Sequence, residues 1–95
     1  MKGIVQALEQ VSRSAKSDKE TVKPADAVKE LRKRIRDGKP KQPAELQAML
    51  AQLDEELAVW ESKIAVIMKE PVGRQGMARH AAHWAERLGG NRHGQ

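Results

Sequence analysis

Leu46-Gln47-Ala48-Met49-Leu50-Ala51-Gln52-Leu53-Asp54-Glu55-Glu56-Leu57-Ala58-Val59-Trp60-Glu61-Ser62-Lys63-Ile64-Ala65-Val66-Ile67 is the stretch on which the fold turns. Leu46, Leu50, Leu53, Leu57, Trp60, Ile64 and Ile67 follow one another at alternating spacings of four and three residues. That spacing draws one narrow apolar seam along a single helix, the pattern of a coiled-coil stripe. So long a seam in so short a chain asks for partner helices, from elsewhere in the chain or from a second copy.

Working outward, Pro43 and Pro71 bracket this helix. Pro43 is expected at its first position, with Glu45 reaching back toward the cap, and Pro71 marks its end. Over residues 43–70 it would be about 42 Å long. On its N-terminal side Gly38, Pro40 and Pro43 make a short connection, with Gly38 expected to close the preceding helix in a left-handed conformation. That preceding helix opens at Pro24, where a missing N–H is harmless, and Asp26 sits against the positive end of its dipole. Val28, Leu31 and Ile35 form its apolar edge. The two helices therefore form an antiparallel hairpin.

Amphipathic helices are expected on both flanks. Ile4, Val5, Leu8 and Val11 share a face over residues 2–14, and Met77, Ala81, Trp84 and Leu88 align over residues 76–88 with Ala78 and Ala85 beside them. Residues 14–23, rich in small and charged side chains, read as a linker. Residues 91–95, beyond Gly89-Gly90, read as a disordered tail. The expectation is a single all-α domain over residues 1–90.

Composition narrows the function classes. The chain has 95 residues and no Cys, Phe or Tyr, so the core must come from aliphatics, Met, Ala and two Trp. Without cysteine there is no disulfide framework and no thiolate nucleophile, which suits a reducing compartment, and the cytoplasm is the expected location. No segment has the run of about 18 apolar residues that a membrane span needs, and the first residues do not read as a secretion signal. No Gly-rich phosphate loop or Ser/His/Asp set stands out, so neither catalysis nor a cofactor is expected.

Charge is unevenly spread on a chain of net charge +5. Lys29, Arg32, Lys33, Arg34, Arg36, Lys39 and Lys41 crowd the second helix and its loop, whereas Glu45, Asp54, Glu55, Glu56, Glu61 and Glu70 make the third acidic. If facing positions across the hairpin sum to about 80, the apolar edges match. Arg32, Arg34 and Arg36 then fall beside residues 44–48, where Glu45 is the only acid, so much of the basic cluster lacks an intrachain partner. The same register leaves about 14 residues of seam, from Leu57 to Ile67, beyond the start of the second helix. The first helix can cover it, placing Leu8 and Val11 near Ile64 and Ile67; the fourth can dock there with Trp84; or a second copy can supply the surface.

The basic cluster is a candidate surface for a polyanion or an acidic partner, although clustered Lys and Arg also serve as an ordinary solvated helix face. Arg79, His83 and Arg87 lie at i, i+4 and i+8 and make a second positive face. His80 and His83, with Glu86 one turn on, have a spacing that metal ligands can use, but no third and fourth ligand converges with them in the sequence, and no metal site is assigned. His80 reads as packing beside Trp84 or Met77, with His83 solvated. Trp60 is a seam residue, and Trp84 suits either the core or an interface.

The hairpin from Val28 to Lys69, with Pro40-Lys41-Gln42-Pro43 at its turn, resembles the needle-type subunits of bacterial secretion systems, which are also small helical hairpins with a Pro-x-x-Pro turn. The likeness spans under half the chain, and the basic segment after Pro71 departs from it. It implies that such a hairpin can polymerise. Two functional readings follow from the residues themselves: a non-enzymatic helical interaction module that assembles through the seam, as a homo-oligomer or with another helical protein, and presents basic faces to an acidic partner; or a small nucleic-acid-binding regulator, for DNA or RNA, that dimerises through the hairpin. Neither involves a membrane or a small-molecule substrate.

Overall fold

Between Pro43 and Pro71 the chain forms its longest helix, and the other three pack around it. In the computed structural model, which describes residues 2–17 and 22–89, α1 spans Lys2–Lys16, α2 Pro24–Gly38, α3 Ala44–Lys69 and α4 Pro71–Gly89, with a 3-10 turn at Lys39–Lys41. Among the described residues there is no strand, and no helix is long and apolar enough to cross a membrane. The longest molecular dimension, 37 Å, is close to the length of α3 alone.

The helices run up, down, up and down. Packing follows a closed ring in which α1 borders α2 and α4, and α3 borders the same two, leaving α1 and α3 diagonal to each other. Ser12 Oγ donates to Ala78 O at 2.9 Å and Arg74 Nε to Ala15 O at 3.1 Å, which fixes α1 and α4 as antiparallel. This is a four-helix bundle in which the hairpin forms one half. Its core takes Leu8 and Val11 from α1, Val28, Leu31 and Ile35 from α2, Leu50, Leu53 and Leu57 from α3, and Met77, Ala81 and Trp84 from α4.

The seam of α3 is thus absorbed within one chain. Leu50, Leu53 and Leu57 are fully buried, while Leu46, Trp60, Ile64 and Ile67 are half-buried. The stretch from Leu57 to Ile67 is faced by α4, which folds back after a single extended residue, Glu70 (φ −115°, ψ 135°). The turn is tight: a Cβ on Gly73 would lie 2.6 Å from Ile67 O, so only glycine fits there without a shift of backbone. Leu8 and Val11 do not lie along Ile64 and Ile67 as the first-helix alternative supposed, because α1 sits diagonally across the bundle, against α2 and α4.

Several local expectations are corrected. α1 continues to Lys16, with Ser12, Ser14 and Ala15 buried, so the connecting segment starts at Ser17 rather than at residue 14. Serine does not break this helix because its hydroxyls are used: Ser14 Oγ donates to Val22 O and accepts from Gln10 Nε2. Residues 18–21 of the expected linker and the expected tail, 91–95, lie outside the described residues.

Gly38 is right-handed (φ −93°, ψ −23°), because the chain carries its turn onward through the 3-10 segment instead of reversing. Pro43 is the N-cap (φ −59°, ψ 158°) and not the first helical residue, and no side chain, Glu45 included, caps the helix. Gln47 instead pins the loop by donating from Nε2 to Gln42 O at 2.9 Å. α4 begins at Pro71, five residues before the onset that its apolar period suggests, since proline is well placed to start a helix and Val72 lies on its outer face.

Candidate functional site

α2 divides its cations among three directions because its apolar residues, Ala27, Val28, Leu31 and Ile35, hold one face against the core. On the α3 side, Arg32 is a bridge: its Nε donates to Asp54 Oδ1 at 2.9 Å and its Nη1 to Glu61 Oε1 at 2.6 Å. These hydrogen bonds, the one to Asp54 first and then the one to Glu61, raise the guanidinium's affinity for its proton above the usual value. On the α1 side, Arg34 Nε donates to Glu30 Oε2 at 2.9 Å and its Nη1 to Gly3 O at 2.9 Å. The hydrogen bond from Arg34, aided by the positive fields of Arg34 and Lys33, holds the Glu30 carboxyl below its ordinary value.

The expectation that the register strands these arginines is therefore corrected for two of them. Side chains on a helix lean toward its N-terminus. In an antiparallel pair, Arg32 thus leans toward later residues of α3, while Asp54 and Glu61 lean back to meet it. A register drawn from Cα positions alone misses that reach.

What stays open is the face directed away from the core. Lys29, Lys33 and Arg36 are exposed at i, i+4 and i+7, and Lys39 and Lys41 continue the positive line around the turn. Among the described residues none of these five has an ion pair within 4.0 Å. From Lys29 to Arg36 the line extends about 10 Å along the axis. Exposed Asp26, Glu30 and Asp37 border it.

On α4, Arg79, His83 and Arg87 are all exposed, as the helical spacing requires. They do not share a surface with the α2 line, since α2 and α4 occupy opposite corners of the bundle. Arg87 is partly committed, its guanidinium lying 4.4 Å from the centroid of the Trp84 ring. Trp84 itself is buried and donates from Nε1 to Glu56 Oε1 at 3.1 Å, so it belongs to the core.

The same carboxylate oxygen accepts His80 Nε2 at 2.5 Å, and the His80 ring stands edge-on to Trp60, 5.4 Å between centroids. His80 thus packs on Trp60 across the α3–α4 boundary and shares the Glu56 oxygen with Trp84. Burial works to raise the Glu56 pKa, but the hydrogen bonds from His80 and Trp84 outweigh it and the net shift is downward. This Glu56, His80, Trp84 and Trp60 cluster was not visible in the sequence as a unit, although positions 56, 60, 80 and 84 pair at a constant sum once α4 is known to fold back along α3. It holds two helices together.

No three His, Asp or Glu side chains among the described residues converge in a way that could hold a metal ion. The hairpin that resembles needle-type subunits is here sheathed on one side by α1 and α4. Set against known protein families, curated proteins and solved structures, the chain matches none.

Proposed function

We propose that this chain is a non-enzymatic helical interaction module that receives an acidic protein segment on the outward face of α2 and the turn that follows it. The observation that carries the reading is the contrast along one helix and its turn: Arg32 and Arg34 are paired within the chain, whereas Lys29, Lys33, Arg36, Lys39 and Lys41 have no ion pair among the described residues. Removing them from water without a counter-charge would be costly, so a partner that buries this face must bring carboxylates or phosphates. An acidic helix with carboxylates at the same spacing matches the line along its length.

The borders of the line favour a narrow partner. Asp26, Glu30 and Asp37 would be pressed against phosphates if α2 entered a nucleic-acid groove, and that like-charge contact opposes binding. The nucleic-acid reading keeps one observation in its favour, the regular spacing of cations along a straight helix, which a single phosphate backbone can follow. Assembly through Leu50, Leu53 and Leu57 of the α3 seam would require opening the bundle, because these three are already buried within one chain.

The test is titration of a labelled Glu-rich helical peptide and of a short unrelated DNA duplex across a salt series. The proposal expects the peptide to bind, and the combined change Lys29→Ala, Lys33→Ala and Arg36→Ala to weaken it by about tenfold while leaving the helical content intact. Tighter binding of the duplex, with a steep salt dependence removed by the same substitutions, would transfer the function to the nucleic-acid reading. Binding of neither probe at low salt would defeat both.

A further inference from the structure

The face of α3 turned away from the core carries Glu55, Val59, Ser62, Val66 and Lys69 in one exposed line. Val59 is 52% and Val66 67% exposed, and they stand seven residues apart, two turns along the same stripe. Two valines this open on a long straight helix are poorly placed for a solitary molecule, and they lie outside the seam that the fold consumes.

From this pattern we infer that two copies of the chain associate through the outer faces of their α3 helices, packed antiparallel about a two-fold axis near Ser62 and Lys63. The valines read the same from either end, and the end charges read with opposite sign. In a two-fold antiparallel pair, facing positions keep a constant sum, and the sum that places Val59 on the second copy's Val66 also places Val66 on its Val59. Glu55 of each copy then lies beside Lys69 of the other, so one apolar pair and one opposite-charge pair are each made twice. Glu70 does not oppose this match as a helical residue, since it has already left the helix in an extended conformation.

The same axis brings Lys63 close to its own symmetry mate, a like-charge contact that limits the strength of the pair. The interface is built from a short line of small side chains, so the dimer forms at high protein concentration and dissociates on dilution. The α2 line stays open, and the acidic-partner reading neither requires this contact nor is required by it.

Sedimentation equilibrium over a wide concentration range tests the inference. The unchanged chain is expected to pass from monomer to dimer. Val66→Glu should weaken association by about tenfold or more with unaltered circular dichroism, because the side chain is already exposed. Glu55→Lys should weaken it too, and the double change Glu55→Lys with Lys69→Glu should restore it by exchanging the charges across the axis. Lys63→Ala should tighten it. A chain that stays monomeric at millimolar concentration overturns the inference, as does a dimer that persists unchanged in Val66→Glu, or a failure of the charge exchange to rescue.

Discussion

The two halves of the bundle exclude water by different means. Between α2 and α3, Val28, Leu31 and Ile35 meet Leu50, Leu53 and Leu57, and the Arg32 bridge closes the outer edge. Between α1 and α4 the contact is the most extensive of any helix pair, and beside their larger core residues these helices bury a run of small ones: Ser12 and Ala15 on one, Ala78, Ala81 and Ala85 on the other. Small side chains let two helices approach closely, so the second half gains from contact between backbones and near-backbone atoms what the first gains from bulk. The consequence is opposite sensitivity. The hairpin should suffer most when side chains are lost or charged, and the α1–α4 pair when they are enlarged.

The largest effect is expected from a charge in the middle of the seam. Leu57→Asp places an unpaired carboxylate at a fully buried position and should cost about 3–5 kcal/mol, seen as loss of a cooperative thermal transition in circular dichroism. If Leu57→Asp left folding and stability unchanged, the hairpin core described above would be wrong.

Next come the tight contacts of α4. Ala81→Leu adds bulk at a fully buried position and should cost about 1–3 kcal/mol in chemical denaturation, although the new residue is more apolar than the old. Gly73→Ala, whose Cβ would meet the carbonyl of Ile67, should cost a similar amount and act at the first turn of the same helix. A stabilising Ala81→Leu would erase the distinction between the two halves.

Smaller effects sharpen it. Ser12→Ala removes the buried hydrogen bond to Ala78 O and should cost about 0.5–1.5 kcal/mol, insensitive to salt. Arg32→Met retains much of the packing but breaks the bridge to Asp54 and Glu61, whose groups remain partly exposed, and should cost about 1 kcal/mol or less, shrinking further as salt is added.

The smallest effect is a pH dependence at the α3–α4 junction. The Glu56 pKa is lower in the folded chain than its ordinary 4.5, so its contribution is present above that value and is lost as pH falls through the lower, folded one. Glu56→Gln should therefore flatten the acid limb of the stability profile. His80→Ala, which removes one of the two hydrogen bonds, should move that limb to higher pH.

The sequence was readable where its signals were local or periodic. The prolines at 24, 43 and 71 stand at or beside helix starts, and the heptad spacing of α3 found its inward leucines. The cations of α2 were found as residues, but not the pairing of Arg32, because that depends on which way long side chains lean across an antiparallel pair, nor the contact of Arg34 with Gly3 O, which needs α1 in place. Ser14 and Ala15 looked like linker because small polar residues say little about burial; their partners, Val22 O for Ser14 and α4 for the end of α1, lie elsewhere. The latch of His80 and Trp84 on Glu56 joins residues 24 and 28 positions apart, with Trp60 packed on His80 across the same two helices, and nothing in the local sequence links α3 to α4 there.

By itself the chain determined an all-α fold, a hairpin turning between residues 38 and 44, and a strip of large apolar side chains that had to be covered. Which surface would cover it was a matter for tertiary structure, since hydrophobic burial is non-directional and is satisfied equally by a neighbouring helix or a second copy. The reversal at Glu70 decided in favour of α4, and the alanines of α4 let α1 close the ring behind it. With the inner leucines of α3 covered in that way, the exposed cations of α2 and the two exposed valines of α3 remain on the outside.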